Sequence, residues 1–114
     1  MIVYGIKSCS TVSKATKFLK EHSIDYDFFD YKKEFVDIAK IQSWLKKTDI
    51  NIIFNNKGQK YRTLGLKNLN LDESGKIQWL AKDNLLLKRP IIELDNGEII
   101  VGYNEEEYSK IFIK

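Results

Sequence analysis

The sequence predicts an α/β fold with a mixed four-stranded sheet flanked by helices, and three observations lead to this class. A strand–helix–strand pattern opens the chain, and a β-hairpin followed by a helix closes it. The segment between them carries apolar residues at helical spacing. Because the chain has 114 residues and 43% of them are hydrophobic, it can hold a real core, and we expect a single domain over residues 1–114.

The opening pattern is a βαβ unit. Residues 2–6 form a short apolar strand, and residues 12–22 carry an apolar stripe with helical spacing. Residues 25–31 are rich in aromatic side chains with partial alternation, which predicts a second strand. Because a helix joins the two strands, they should be parallel with a right-handed crossover. Residues 7–11 then follow the carboxyl end of the first strand, where open α/β sheets place their chemistry.

The middle of the chain is predicted to be helical. Residues 35–45 carry apolar side chains at helical spacing, and residues 50–54 fit either a short helix or a strand. Residues 55–58 predict a turn. Asp72 is the expected N-cap of a further helix.

The end of the chain carries the clearest local signal. Residues 91–94 and 98–101 are apolar runs on either side of Asp-Asn-Gly, which predicts a β-hairpin because Asn and Gly both tolerate positive φ. Asn104 and Glu107 form a capping box for a last helix. The complete order of elements is that of a thioredoxin-like fold, with a helical insertion before the hairpin.

Cys9 is the only cysteine, and it stands between the first strand and the first helix. Unpaired N–H groups and the positive end of the helix dipole favour a thiolate there. With Lys7 as a nearby cation, we expect the pKa of Cys9 to lie below its ordinary value of about 8.5. Ser10 and Thr11, with the N–H groups of the helix start, would form an anion-binding nest. The alternative is a small buried structural cysteine, against which the polar neighbours argue.

Pro90, the only proline, directly precedes the predicted hairpin. Proline is the residue for which a cis peptide bond is cheap. In thioredoxin-like folds a cis-proline precedes the third strand and lies against the reactive thiol, so the fold would bring Arg89 beside Cys9. Its guanidinium could stabilise a thiolate, or bind an oxyanion or a carboxylate in bidentate fashion. The alternative is a surface arginine at the start of a strand.

Several classes of protein have no support in the sequence. A lone cysteine excludes an intrachain disulfide and fits a reducing compartment. The chain has neither an apolar run of membrane-spanning length nor a secretory signal, so we expect a cytoplasmic protein without a membrane partner. A net charge of +3 with scattered lysines gives no support for direct nucleic-acid binding. No metal-ligand cluster or phosphate-binding loop is present in the sequence, so we expect no metal and no bound cofactor.

Four segments carry a resemblance to a known family: residues 4–15 (YGIKSCSTVSKA), 56–66 (NKGQKYRTLGL), 87–92 (LKRPII) and 101–107 (VGYNEEE). By these segments, in this order and spacing, the chain is similar to the arsenate reductase (ArsC)/Spx/YffB family over nearly its whole length. It resembles most the YffB-like branch, which uses one cysteine and is regarded as a glutathione-dependent thiol reductase.

The resemblance implies roles for particular residues. Cys9 matches the cysteine that attacks arsenate in arsenate reductases, and Arg89 matches the arginine before the cis-proline. The two other family arginines fall near Asn55 and at Tyr103 here, which implies that arsenate is a poor substrate unless Lys57 or Arg62 takes their place. The YffB-like branch implies that Cys9 attacks an oxidised or oxyanion substrate. Because no resolving cysteine exists, glutathione or a glutaredoxin-type protein would have to discharge the adduct.

The alternative within the family is a Spx-like regulator, an interaction protein that binds RNA polymerase without catalysis. Residues 88–90 and 101–107 resemble Spx closely. However, Spx-type sensors usually carry a Cys-x-x-Cys switch, and Val12 occupies the second of these positions here. A third alternative is a family member without any redox role.

Overall fold

A mixed four-stranded sheet brings together segments from both ends of the chain. In order along the sheet its strands are β2 (Asp27–Asp30), β1 (Ile2–Gly5), β3 (Ile91–Glu93) and β4 (Ile99–Val101). β1 and β2 are parallel, whereas β3 runs antiparallel to both β1 and β4. The predicted thioredoxin-like α/β class is therefore confirmed.

The structure is a computed structural model that describes residues 1–113, and its contacts define two compact units. The sheet unit consists of Met1–Asp30 and the chain from Arg89 onward, and the helical unit is Tyr31–Lys88. The helical unit is the insertion that the sequence predicts before the hairpin. The expectation of one domain over residues 1–114 stays a prediction.

Six α-helices lie among the described residues: α1 (Ser10–Glu21), α2 (Ile38–Leu45), α3 (Ile50–Ile53), α4 (Gln59–Thr63), α5 (Glu73–Lys82) and α6 (Glu105–Phe112). Short 3-10 turns at Leu66–Leu69 and Asn84–Leu86 complete the helical unit. None of these helices has the length and apolar character needed to cross a membrane.

The core of the sheet unit lies between one face of the sheet and two helices. Val3 pairs with Ile92, and Ile92 pairs with Ile100, so these three side chains share a face. α1 and α6 cover that face with buried side chains: Ala15, Phe18, Leu19 and Tyr108. The Tyr108 hydroxyl donates a hydrogen bond of 2.6 Å to the carbonyl of Gly102, which satisfies its polar end inside the core.

The helical unit has a buried polar anchor at Asn84. Its side-chain oxygen accepts a hydrogen bond from the N–H of Val36 (2.7 Å), and its amide nitrogen donates to the carbonyls of Val36 (3.1 Å) and Leu80 (2.9 Å). Asn84 thereby fastens the segment before α2 to the end of α5. The sequence patterns did not predict this buried residue.

The start of the second helix was predicted wrongly. α2 begins at Ile38 because Asp37 caps it and accepts a hydrogen bond from the N–H of Lys40 (2.9 Å). Phe35 therefore lies outside the helix, and 63% of its surface is exposed. The open choice at residues 50–54 resolves as the short helix α3. The predicted cap at Asp72 is confirmed by a hydrogen bond of 2.8 Å from the N–H of Gly75.

The predicted hairpin is confirmed, but its turn differs from the expected one. The N–H of Gly97 donates to the carbonyl of Leu94 (3.0 Å), and the N–H of Leu94 donates to the carbonyl of Glu98 (2.8 Å), which closes a three-residue loop. Only Gly97, at φ +88°, uses the left-handed region in this loop. Asn96 instead accepts a hydrogen bond from the N–H of Glu98 (2.9 Å) through its side chain.

Candidate functional site

Cys9 is the N-cap residue of α1 and is half-buried. Its N–H donates to the carbonyl of Ile6 (3.2 Å), which closes a tight turn directly after β1. Its carbonyl accepts the hydrogen bond from the N–H of Ser13 (3.0 Å), which begins the helix. The backbone on both sides of the thiol is therefore fixed, and the side chain lies over the open end of α1, as expected from the sequence.

The pKa of Cys9 is lowered, although its environment contains opposing influences. Burial raises the pKa, but the backbone N–H groups of Val12 and Thr11 and then the guanidinium of Arg89 outweigh it. The side chain makes no capping hydrogen bond of regular geometry. The two N–H groups therefore act on the sulfur mainly through their dipoles, which favour the negative thiolate.

Arg89 reaches the thiol from the sheet side of the site. The Arg89–Pro90 peptide bond is cis, as predicted, and Pro90 is buried at the entry to β3. The carbonyl of Pro90 accepts a hydrogen bond of 2.8 Å from the N–H of Gly102, which ties this segment to the end of β4. From this fixed segment the guanidinium acts on Cys9 both as a positive charge and as a hydrogen-bond donor.

The other expected site residues divide into two groups. The N–H of Thr11 faces the sulfur, whereas Lys7 and Ser10 are exposed and are not among the groups that lower the pKa of Cys9. Val12 was not predicted as a site residue, although its N–H group lowers the pKa of Cys9 more than the N–H group of Thr11 does. The capping rule could have found it, because an N-cap side chain faces the N–H groups of the second and third helical residues.

Tyr103, which stands where the resemblance places a family arginine, packs away from the thiol. Its ring lies 4.8 Å from that of Tyr108 and 6.4 Å from that of Phe18, measured between ring centroids. Phe18 follows Cys9 by nine residues along α1, which corresponds to about 13 Å of helix. Burial and two nearby carboxylates raise the pKa of the Tyr103 hydroxyl. Tyr103 is therefore part of an aromatic cluster and not of the Cys9 site.

Asn55 lies near the second position at which the resemblance places a family arginine, and it belongs to a turn of the helical unit. Its side-chain oxygen accepts a hydrogen bond from the N–H of Lys57 (3.3 Å). Arg62 donates from its guanidinium to the carbonyl of Lys57 (3.1 Å). These contacts hold the turn before α4, as the sequence predicts for residues 55–58.

The site thus combines one nucleophile with one cation. A thiolate held by two N–H dipoles and a guanidinium can attack an electrophilic sulfur or an oxyanion. The guanidinium can also bind a carboxylate of the incoming molecule. Among residues 1–113, no group of three histidine, cysteine or acidic side chains could hold a metal ion.

Comparisons with known proteins agree with this architecture. Residues 4–111 match the ArsC family. An uncharacterised protein of Haemophilus influenzae is 36% identical over 112 residues, with 96% of each chain covered. The global transcriptional regulator Spx 2 of Bacillus cereus is 30% identical, covering 96% of this chain and 85% of its own.

Solved structures of related proteins have the same fold. A protein described as YffB superposes with a TM-score of 0.88 at 33% identity, covering 96% of both chains. An arsenate reductase (ArsC) related protein of Brucella melitensis superposes with a TM-score of 0.76 at 33% identity, covering 99% of this chain and 94% of that one. The chain belongs to the ArsC family. Its relatives include proteins related to arsenate reductase, proteins of the YffB type and Spx regulators.

Proposed function

We propose that this protein is a cytoplasmic thiol-dependent reductase in which Cys9 is the nucleophile and glutathione is the reducing co-substrate. The observation that carries the proposal is the lowered pKa of Cys9, which burial alone would have raised. A structural cysteine would gain nothing from two helix N–H groups and a guanidinium directed at its sulfur. A glutaredoxin-type protein is the alternative reductant.

The proposed reaction is a thiol–disulfide exchange. The Cys9 thiolate attacks one sulfur of a glutathione mixed disulfide, so a Cys9–glutathione disulfide forms and the substrate leaves as a thiolate. A second glutathione thiolate attacks the glutathione sulfur of this adduct, which releases glutathione disulfide and regenerates the Cys9 thiolate. One reduced glutathione is consumed: the mixed disulfide and a glutathione thiolate become the substrate thiolate and glutathione disulfide. Arg89 favours the thiolate form of Cys9 and binds a carboxylate of glutathione.

We also propose that arsenate is at best a poor substrate. The chain contains two arginines, and Arg62 is used in the turn before α4. Tyr103 is occupied in the aromatic cluster. Arg89 is then the one guanidinium at Cys9 among the described residues. A single guanidinium would bind a doubly charged oxyanion weakly.

The proposal is tested by incubating the purified protein with glutathione disulfide and measuring its mass. We expect one glutathione adduct on the wild type, removal of this adduct by reduced glutathione, and no adduct on Cys9→Ser. Turnover is then followed by coupling glutathione disulfide release to its reductase, with a small mixed disulfide as substrate. A wild type that forms the adduct no faster than a free cysteine peptide would contradict the proposal.

A second candidate function follows from the Spx relatives, which are named global transcriptional regulators. In that case the fold would be a docking surface for RNA polymerase, and Cys9 would be dispensable. Binding of purified polymerase by both the wild type and Cys9→Ser, without measurable turnover of any disulfide, would favour this candidate over the reductase.

A further inference from the structure

The last residue of β1 is a glycine in close contact with the first turn of α1. A Cβ atom placed on Gly5 would lie 2.8 Å from Cγ2 and 3.4 Å from Cγ1 of Val12. The first of these distances is shorter than real Cβ contacts allow. The φ of Gly5 lies outside the left-handed region, so its backbone would accept alanine, and the three atoms nearest to the added Cβ all belong to Val12.

Val12 has little freedom to avoid such a side chain. It is 1% exposed and is therefore packed on all sides. Valine within a helix strongly prefers one χ1 rotamer, so rotation of the side chain is a costly escape. To restore an ordinary contact, the first turn of α1 would have to move by about 0.6 Å or more.

Val12 is also one of the two residues whose N–H groups face the Cys9 sulfur. We propose that Gly5 is a positioning residue for Cys9: its missing side chain lets Val12 pack directly against the end of β1, which fixes the first turn of α1 at the distance where its N–H groups reach the sulfur. This inference rests on the proposed function, because it assigns Gly5 a role in preparing the reactive thiol.

The turn from β1 to α1 makes this dependence direct. The N–H of Cys9 is hydrogen-bonded to the carbonyl of Ile6, the residue after Gly5. The backbone of Cys9 is therefore tied to the turn after β1 through Ile6 and to α1 through Ser13, whereas the N–H groups of Thr11 and Val12 lie within the helix. The contact between Gly5 and Val12 sets the separation between strand and helix at this point. Because Cys9 is tied on both sides, a wider separation distorts the N-cap geometry and moves the N–H groups of Thr11 and Val12 away from the sulfur. The effect of burial, which raises the pKa of Cys9, then dominates.

The test compares four proteins: wild type, Gly5→Ala, Val12→Ala and the double variant with both changes. Iodoacetamide alkylation of Cys9 is measured across pH, and circular dichroism reports folding. We expect Gly5→Ala to raise the midpoint of alkylation. In the double variant the smaller side chain at position 12 makes room for the methyl group of Ala, so the midpoint should return toward that of Val12→Ala. Gly75→Ala, in α5 of the helical unit, serves as a control for glycine replacement alone.

The outcomes separate this inference from the proposed function. A raised midpoint in Gly5→Ala that is reversed in the double variant supports it, and so does a Gly5→Ala protein that folds only when Val12 is also replaced. A folded Gly5→Ala with an unchanged midpoint overturns the role of Gly5 but leaves the reactive thiol intact. If alanine at position 5 prevents folding in both backgrounds, Val12 is not the limiting contact and the inference fails. A wild-type midpoint at or above about 8.5 overturns both claims.

Discussion

Replacement of Arg89 by alanine should slow the reaction of Cys9 with glutathione disulfide by about tenfold at pH 7. Arg89 provides both a charge and a hydrogen bond to the thiolate, and hydrogen bonds to charged groups are worth roughly 1.5–3 kcal/mol. A tenfold change in rate corresponds to about 1.4 kcal/mol. Because Arg89 is partly exposed, solvent screens its charge, and we expect the lower end of this range.

The assay is the rate of appearance of the glutathione adduct, measured by mass spectrometry at several pH values. Arg89→Lys is the matched control, because it keeps the charge but loses the planar, bidentate donor group. We expect it to retain part of the rate. The pH midpoint of the reaction should rise in Arg89→Ala, because only the N–H groups of Val12 and Thr11 then oppose the effect of burial on the pKa of Cys9. An Arg89→Ala protein with the wild-type rate and midpoint would refute a role for Arg89 and favour the interaction protein.

Three further predictions concern stability. Asn84→Ala should lower the free energy of unfolding in urea by about 1–3 kcal/mol, because it leaves the buried N–H of Val36 without its acceptor; a loss below about 0.5 kcal/mol would contradict the buried anchor. Ser23→Gly should stabilise the protein by about 0.5–1 kcal/mol in thermal unfolding, since Ser23 directly follows the C-cap of α1, His22, at φ +55°, a conformation that glycine adopts without steric cost; a destabilised variant would contradict this. Burial, aided by Glu107 and Tyr103, raises the pKa of Tyr108, so its protonated form is favoured by folding and its stabilisation is fully present below about pH 10 and lost above it. Tyr108→Phe lacks the hydrogen bond to the Gly102 carbonyl, so its free energy of unfolding should be about 1 kcal/mol lower than that of the wild type at pH 7. Above about pH 10 its stability should decline less than that of the wild type. Parallel pH profiles of stability would contradict this prediction.

The fold was predictable where the local signals agree with one another. The βαβ unit, the cap at Asp72 and the hairpin each combine a hydrophobic pattern with a turn or cap residue, and all three are confirmed. The start of α2 was missed because the apolar spacing continues back to Phe35, whereas the cap at Asp37 determines where the helix begins. Periodicity alone does not distinguish a buried apolar side chain from an exposed one.

The site was predictable in part for a similar reason. The position of Cys9 and the cis bond before Pro90 follow from element order and from the resemblance. The N–H of Val12 was missed although the capping rule predicts it, whereas the contact of Gly5 was missed because it depends on the distance between a strand and a helix. A sequence does not state such a distance. Lys7 is close to Cys9 in the sequence, but it is exposed and is not among the groups that lower the pKa of Cys9. Proximity in sequence therefore does not establish an effect on the thiol.

The most direct test of the account is the pH dependence of Cys9 alkylation in the wild type. Iodoacetamide reacts with the thiolate, so the midpoint of the rate against pH reports the pKa of the thiol. Cys9→Ser gives the background, and a short peptide carrying one cysteine gives the unperturbed reference. We expect a midpoint clearly below that of the peptide. A midpoint equal to or above the reference, at about 8.5 or higher, would contradict the claim that α1 and Arg89 prepare Cys9 as a nucleophile.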